Sequence, residues 1–159
     1  FGSLIRAYQM VGYAPDRDYR YLEINRFLRR LHPKVVAETE AQVACVGGRI
    51  HRDPATDLLD VNHEFSVSLV LARCQSRDSG RHLWKVRFDT SLLPDITVAV
   101  RLAPGNDAPL DYYLLPRLDF GQPRISLAEK NAVELESYRF DTLDYLYGMA
   151  AQIRLRRAA

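Results

Sequence analysis

The sequence is poor in the residue patterns that define several classes of protein. It has only two cysteines, and neither Cys45 nor Cys74 belongs to a CxxC pair or has a histidine at metal-ligand spacing. This spacing argues against a disulfide framework and against a structural zinc site. We therefore predict that both are reduced, buried cysteines of a cytoplasmic protein. The histidines are equally scattered, at His32, His51, His63 and His82.

Long apolar runs and phosphate-binding glycine patterns are also missing. No run approaches the about twenty apolar residues that cross a bilayer, and no signal peptide is visible, so no membrane partner is expected. The absence of GxSxG, Walker-type and GxGxxG patterns argues against hydrolase, nucleotide-triphosphatase and dinucleotide-binding functions. The formal net charge of +2 is too small to indicate a polyanion partner by itself.

What remains is sufficient for one globular domain. The chain has 159 residues, of which 47% are hydrophobic and 26% charged, and neither repeats nor a low-complexity linker divide it. Because the first residue is Phe1 and not methionine, we expect a fragment of a longer protein. The rest of that protein, or a separate partner protein, then contributes to function, and a homo-oligomer is also open.

Helical periodicity dominates the N-terminal third. A first helix is predicted in SLIRAYQMV, and Asp16 or Asp18 caps a second one, YRYLEINRFLRRL. Pro33 fits the first turn of a third helix, which Gly47 and Gly48 terminate. We assign residues 1–33 to an N-terminal helical extension and residues 34–159 to the core with its C-terminal helices.

After these glycines the hydrophobic period changes from that of a helix to two. Five strands are predicted, in GRIHRD, EFSVSLVLARC, HLWKVRFD, DITVAVRL and LDYYLLPRL, with a hairpin between the second and the third. The segments ISLAEKNAVELESY and TLDYLYGMAAQIRL are predicted to be helices. The fold class is therefore α+β: N-terminal helices, then a mostly antiparallel or mixed five-stranded sheet covered by helices.

The stretch TDLLDVNHEFSVSLVLARC and the order of elements around it resemble the restriction-endonuclease-like, or PD-(D/E)XK, nuclease superfamily. The resemblance covers residues 34–120. It implies an acid at the start of one strand, and an acid and a lysine two residues apart on the next strand. Residues two apart share a face of a strand, so the three side chains converge. In the family the carboxylates hold Mg²⁺, which activates water, and the lysine stabilises charge on the phosphate.

Carried onto this chain, the first acid falls on Asp57, and the acid–lysine pair falls on or near Ser68 and Val70. Serine cannot replace a carboxylate ligand and valine carries no charge, so the resemblance implies a degenerate site without a cofactor. The leading interpretation is a DNA-associated, non-catalytic domain. It would serve as a binding or assembly module in a larger defence, repair or mobile-element protein.

Two other interpretations stay open. An active Mg²⁺-dependent endonuclease requires a relocated site, with Mg²⁺ on Asp57 and Glu64; a second register pairs Asp95 with Asp111. The remaining candidates for the relocated site are Asp60 as a further acid, and Arg73 or Lys85 as the cation. A protein-interaction domain without nucleic acid is the third interpretation.

A stripe of basic residues is the candidate nucleic-acid contact. At helical spacing these side chains share one side of the predicted helices, where they would meet phosphates: Arg20, Arg26, Arg29, Arg30 and Lys34. The alternative is a solvated helix face balanced by Asp16, Asp18 and Glu23. The C-terminal RLRR is ambiguous in the same way, because cations are also favourable at a helix C-terminus.

Overall fold

A computed structural model of the protein describes residues 20–152. The predicted first helix, the caps Asp16 and Asp18 and the C-terminal RLRR lie outside these residues. Within them the helices are α1 (Arg20–Cys45), α2 (Val133–Glu136) and α3 (Asp144–Ala150), with a 3-10 turn at Arg117–Asp119. The strands are β1 (Ile50–Arg52), β2 (Leu59–Val61), β3 (Phe65–Ala72), β4 (Cys74–Ser76), β5 (His82–Arg87), β6 (Ile96–Leu102), β7 (Pro109–Pro116), β8 (Arg124–Ala128) and β9 (Arg139–Phe140).

Helix α1 continues through Pro33, so the prediction of a new helix at this proline was wrong. An interior proline removes one helical hydrogen bond, at a cost of about 3 kcal/mol. The apolar stripe offsets this cost because it runs unbroken past Pro33, from Leu28 and Leu31 to Val36 and Val43, into one core. The predicted boundary between residues 33 and 34 lies inside this helix.

The end of α1 agrees with the prediction. Gly47 has a φ of 80°, and its N–H donates to the carbonyl of Ala44 at 3.0 Å. The N–H of Gly48 donates to the carbonyl of Val43, also at 3.0 Å. These two bonds form a Schellman motif, in which the left-handed residue is glycine because a Cβ is disfavoured there.

The described strands form two sheets, not the single five-stranded sheet that was predicted. Six strands have the order β1-β2-β3-β6-β7-β9, and three have the order β4-β5-β8. The larger sheet is mixed because β3 and β6 run parallel, whereas its other neighbours are antiparallel. The predicted strand EFSVSLVLARC breaks at Arg73, so that its first part joins the large sheet and its end the small one.

The large sheet lies between α1 with α3 on one face and the small sheet on the other. Alternation along β6 shows this directly, since Val98 and Val100 pack in the core with α1 whereas Ala99 packs under the small sheet. Trp84 on β5 is the largest fully buried side chain of the second core. The architecture is therefore α+β, with two apolar cores on opposite faces of one sheet.

The segment ISLAEKNAVELESY was wrongly predicted to be a helix. It contains strand β8 and the one-turn helix α2, because Leu127 pairs with Trp84 of β5 and Ile125 with Val86. Inward alternation at these two positions outweighs the helical propensity of the segment. Helix α3, by contrast, falls inside the predicted final helix.

Two further observations concern the surface. Cys74 is buried as predicted, but Cys45 is exposed at the end of α1, which corrects the expectation for that residue. No helix within residues 20–152 combines the length and the apolar character that a membrane span needs.

Candidate functional site

Asp57 lies in the turn before β2 and does not face a second carboxylate. Its φ is 58°, and its Oδ1 accepts a hydrogen bond from the guanidinium of Arg52 at 3.0 Å. Arg52 also lies 4.0 Å from Glu40 of α1. Asp57 therefore ties its turn to strand β1, and its charge is matched by the neighbouring arginine.

Asp60 and Glu64 flank the β2–β3 turn. The Asp60 carboxylate contacts Nδ1 of His63 at 2.5 Å, and His63 is 82% exposed. Glu64 accepts a long hydrogen bond of 3.4 Å from the Gln152 amide. Each acid thus has a separate partner, on different sides of the turn.

Lys85 belongs to the small sheet, whereas Asp60 belongs to the large one. Lys85 is exposed on β5, where it pairs with Ser126 of β8. Arg73, the other candidate cation, donates to the side chain of Asn25 on α1 at 3.1 Å. Residues 20–152 contain no group of three or more histidine, cysteine or acidic side chains with the geometry of a metal site.

Ser68 and Val70 occupy the positions at which the resemblance places the acid and the lysine. Both lie on β3, and their neighbours on β6 are Thr97 and Ala99. The two side chains share the face that is turned away from α1, as residues two apart on a strand must. The backbone thus presents this pair of positions together, without a carboxylate or an ammonium group on either.

Asp95, which follows Pro94 at the start of β6, holds two strands together. Its Oδ2 accepts hydrogen bonds from the backbone N–H of Ser66 at 2.8 Å and from the Ser66 hydroxyl at 3.1 Å. Donation from the Ser66 backbone is the main reason why the pKa of Asp95 lies below its ordinary value. Arg117, 3.5 Å away, adds a weaker electrostatic contribution.

Asp111 belongs to a different place in the fold from Asp95. It pairs with Arg101 near the far end of β6, six residues along the strand and so roughly 20 Å from Asp95. The register that joins these two acids in one site is therefore not formed.

Arg101 and Asp111 form a buried ion pair between the two sheets. The Arg101 Nε donates to Asp111 Oδ1 at 2.8 Å, and a second bond joins Nη2 to Oδ2. Both residues are only 4% exposed. The remaining guanidinium nitrogen donates to the carbonyl of Ala128, so the planar fork is fully used.

Aromatic rings complete the surroundings of this pair. The Arg101 guanidinium lies 4.5 Å from the ring centre of Trp84 and 5.4 Å from that of Tyr113. Burial raises the pKa of Tyr113 to about 12, and its hydroxyl donates to Glu136 at 3.1 Å. Because every polar group here has an internal partner and none faces an open cleft, this centre stabilises the fold and offers no reactive group.

The basic stripe of α1 is placed as the sequence predicted. Arg26, Arg29, Arg30 and Lys34 are all exposed, and they lie on the side of α1 opposite the buried valines. None of them takes part in an ion pair among the described residues. Arg20 starts the helix. The four exposed cations are called the helix stripe below.

Comparison with known proteins adds little to this description. No protein-family model matches the chain, and no curated protein matches it. Among solved structures, the chain is similar to a bacterial homing endonuclease, I-Ssp6803I, with 15% sequence identity and a TM-score of 0.43. The similarity covers 74% of this chain and 87% of that one. At this identity and TM-score, the likeness says nothing further about the site.

Proposed function

We propose that the domain is a non-catalytic nucleic-acid-binding module, which contacts the DNA backbone through the helix stripe. The observation that carries this proposal is the position of Arg26, Arg29, Arg30 and Lys34 on one solvent-facing side of α1 without an acidic partner among the described residues. Phosphate contacts of this kind supply most of the sequence-independent affinity for DNA.

The length of the helix stripe suits this role. Eight residues separate Arg26 from Lys34, which corresponds to about 12 Å along the axis of a helix. One strand of DNA rises about 3.4 Å per nucleotide, so the stripe spans three to four phosphates. The opposite side of α1 is anchored by Val35, Val36 and Val43, so the cations are presented on a rigid support.

The degenerate nuclease-like core from the sequence resemblance fits the same proposal. A helix ending in glycines leads through β1 and β2 into β3, and Ser68 and Val70 occupy the positions of the acid and the lysine. A module of this kind would position a larger defence, repair or mobile-element protein on DNA.

Removing two cations of the helix stripe is expected to weaken DNA binding and its salt dependence. In the double variant Arg29→Gln and Arg30→Gln, the slope of log K against log salt concentration should fall by about 1.8, because each phosphate contact contributes about 0.9. Glutamine has a helix propensity similar to that of arginine, so the helix should persist. Gel-shift titrations of a short duplex at several salt concentrations measure the slope.

The matched control removes two equally exposed cations elsewhere, in the variant Arg49→Gln and Lys130→Gln. This variant has the same net charge as the first, and its slope should stay close to that of the unchanged protein. An equal fall in both variants would show that only overall charge matters, which contradicts the proposal. If no duplex is retained even at low salt, the domain is a protein-interaction module instead.

No metal-dependent cleavage of DNA is expected. Supercoiled plasmid incubated with the protein and Mg²⁺ or Mn²⁺ should remain intact, since Asp57, Asp60, Glu64 and Lys85 each lie apart with different neighbours. Nicking that persists after purification and disappears in both Asp57→Ala and Glu64→Ala would establish the relocated site and overturn this expectation. Nicking that persists in both variants would indicate a contaminating nuclease.

A further inference from the structure

The outer face of the small sheet carries a second cluster of cations. Strand register places Arg87 directly opposite Arg124, and Lys85 directly opposite Ser126. These four residues are exposed, and they point away from the core because Trp84, Val86 and Leu127 alternate with them inward. Lys85, Arg87 and Arg124 are called the outer basic face below.

The arrangement of the outer basic face is unfavourable for the isolated domain. Like charges directly opposite each other on an antiparallel pair are destabilising, and Arg87 faces Arg124 in this way. None of the three cations takes part in an ion pair among residues 20–152. Asp119 and Glu134 border an open groove beside Arg124, but Asp119 is already engaged by the Tyr138 hydroxyl at 2.7 Å.

We propose that the outer basic face is a second nucleic-acid-binding surface, which takes the sugar-phosphate backbone of a DNA duplex. A bound phosphate relieves the repulsion between Arg87 and Arg124, because both guanidinium groups can donate to its oxygens. Lys85 and Arg87 are two residues apart, or about 7 Å, on an extended strand. That distance matches two nucleotide steps of about 3.4 Å along one DNA strand.

The neighbouring side chains favour DNA over a membrane surface as the occupant. Ser126 adds an exposed hydroxyl and Gln75 a half-buried amide to the small sheet, and both are donors suited to phosphate oxygens. Leu83, half-buried opposite Ala128, is the large apolar side chain of this face, and it does not protrude. A surface that inserts into lipid needs exposed aromatic or leucine side chains, which this face does not offer among its described residues.

The outer basic face and the helix stripe point in opposite directions. Helix α1 packs on one face of the large sheet and the small sheet packs on the other. With about 10 Å per packed layer, roughly 20 Å separate the helix axis from the small sheet. One straight duplex cannot reach both surfaces, so a domain that uses both holds two DNA segments side by side. This last step, unlike the outer basic face itself, also rests on the proposed function of the helix stripe.

The test compares two double variants in two assays. The variant Arg87→Gln and Arg124→Gln should lower the gel-shift salt slope by about 1.8, as expected for two lost phosphate contacts. In the second assay, a duplex fixed on beads captures a labelled second duplex through the protein. The unchanged protein and the control Arg49→Gln and Lys130→Gln should capture it. Both the Arg87/Arg124 variant and the Arg29/Arg30 variant should lose more than ten-fold of that capture.

The outcomes separate this inference from the proposed function. A normal salt slope together with normal capture in the Arg87/Arg124 variant overturns the inference, whatever the Arg29/Arg30 variant does. A normal slope in the Arg29/Arg30 variant alone removes the helix stripe but leaves the outer basic face standing. Loss of binding to vesicles of phosphatidylserine without loss of DNA binding assigns the face to lipid and also overturns the inference. Because the substitution removes a repulsion, urea unfolding should show equal or higher stability, which excludes misfolding as the cause.

Discussion

Replacing Arg101 with leucine is expected to lower the free energy of unfolding by about 3–5 kcal/mol, since removing one partner of a buried ion pair strands the other charge. Asp111 loses both of its strong hydrogen bonds, and only Arg139, 3.7 Å away and partly exposed, remains near its carboxylate. The carbonyl of Ala128 loses its donor from Arg101 at the same time.

The measurement is urea unfolding followed by tryptophan fluorescence. Trp84 is the one tryptophan of the chain, and its ring packs against Arg101 while its Nε1 donates to the carbonyl of Leu102 at 2.8 Å. The fluorescence therefore reports on the interface between the two sheets.

An exposed ion pair provides the control. Arg117→Leu breaks a contact of 3.5 Å with Asp95 in which both side chains are nearly half exposed, so it should cost less than about 1 kcal/mol. The double variant Arg101→Leu and Asp111→Leu should regain part of the loss, because no unpaired charge stays buried. A loss in Arg101→Leu no larger than in Arg117→Leu would show that the buried pair does not stabilise the fold.

Strands were predictable from the sequence where apolar alternation coincided with β-branched residues. DITVAVRL and LDYYLLPRL became β6 and β7 because their buried neighbours on both faces reward that pattern. ISLAEKNAVELESY failed because only Ile125 and Leu127 alternate, and their pairing with β5 is a contact distant in sequence. Pro33 failed for the opposite reason: a local signal was outweighed by the packing of α1 on the sheet.

The charged residues were harder to predict than the strands. The exposure of the helix stripe follows from helical spacing, and it was anticipated. The ion pair of Arg101 and Asp111 depends on the register between β6 and β7, which no short sequence pattern records. One available signal was the position of Arg101 within an otherwise apolar strand, since a charge in such a strand needs an internal partner.

Gly48→Ala is expected to destabilise the protein by about 1–3 kcal/mol, the usual cost of forcing extra atoms into a packed site. A Cβ at this position would lie 2.6 Å from the carbonyl oxygen of Ala150 and 2.8 Å from Cγ1 of Val43. The first contact cannot be relieved by rotating a side chain, because the oxygen belongs to the backbone. That carbonyl also accepts a hydrogen bond from the Asn62 amide at 2.9 Å, which any displacement would strain.

Gly148→Ala is the matched control, and its effect should have the opposite sign. Gly148 lies inside helix α3, and a Cβ there would meet no atom within 4 Å. Alanine is favoured over glycine in a helix interior by about 0.5–1 kcal/mol, so this variant should gain stability. Both substitutions restrict the unfolded chain equally, so the difference between them isolates the contact between Gly48 and Ala150. Urea midpoints that shift in the same direction for both variants would show that this close approach of α1's end to α3 does not constrain the fold.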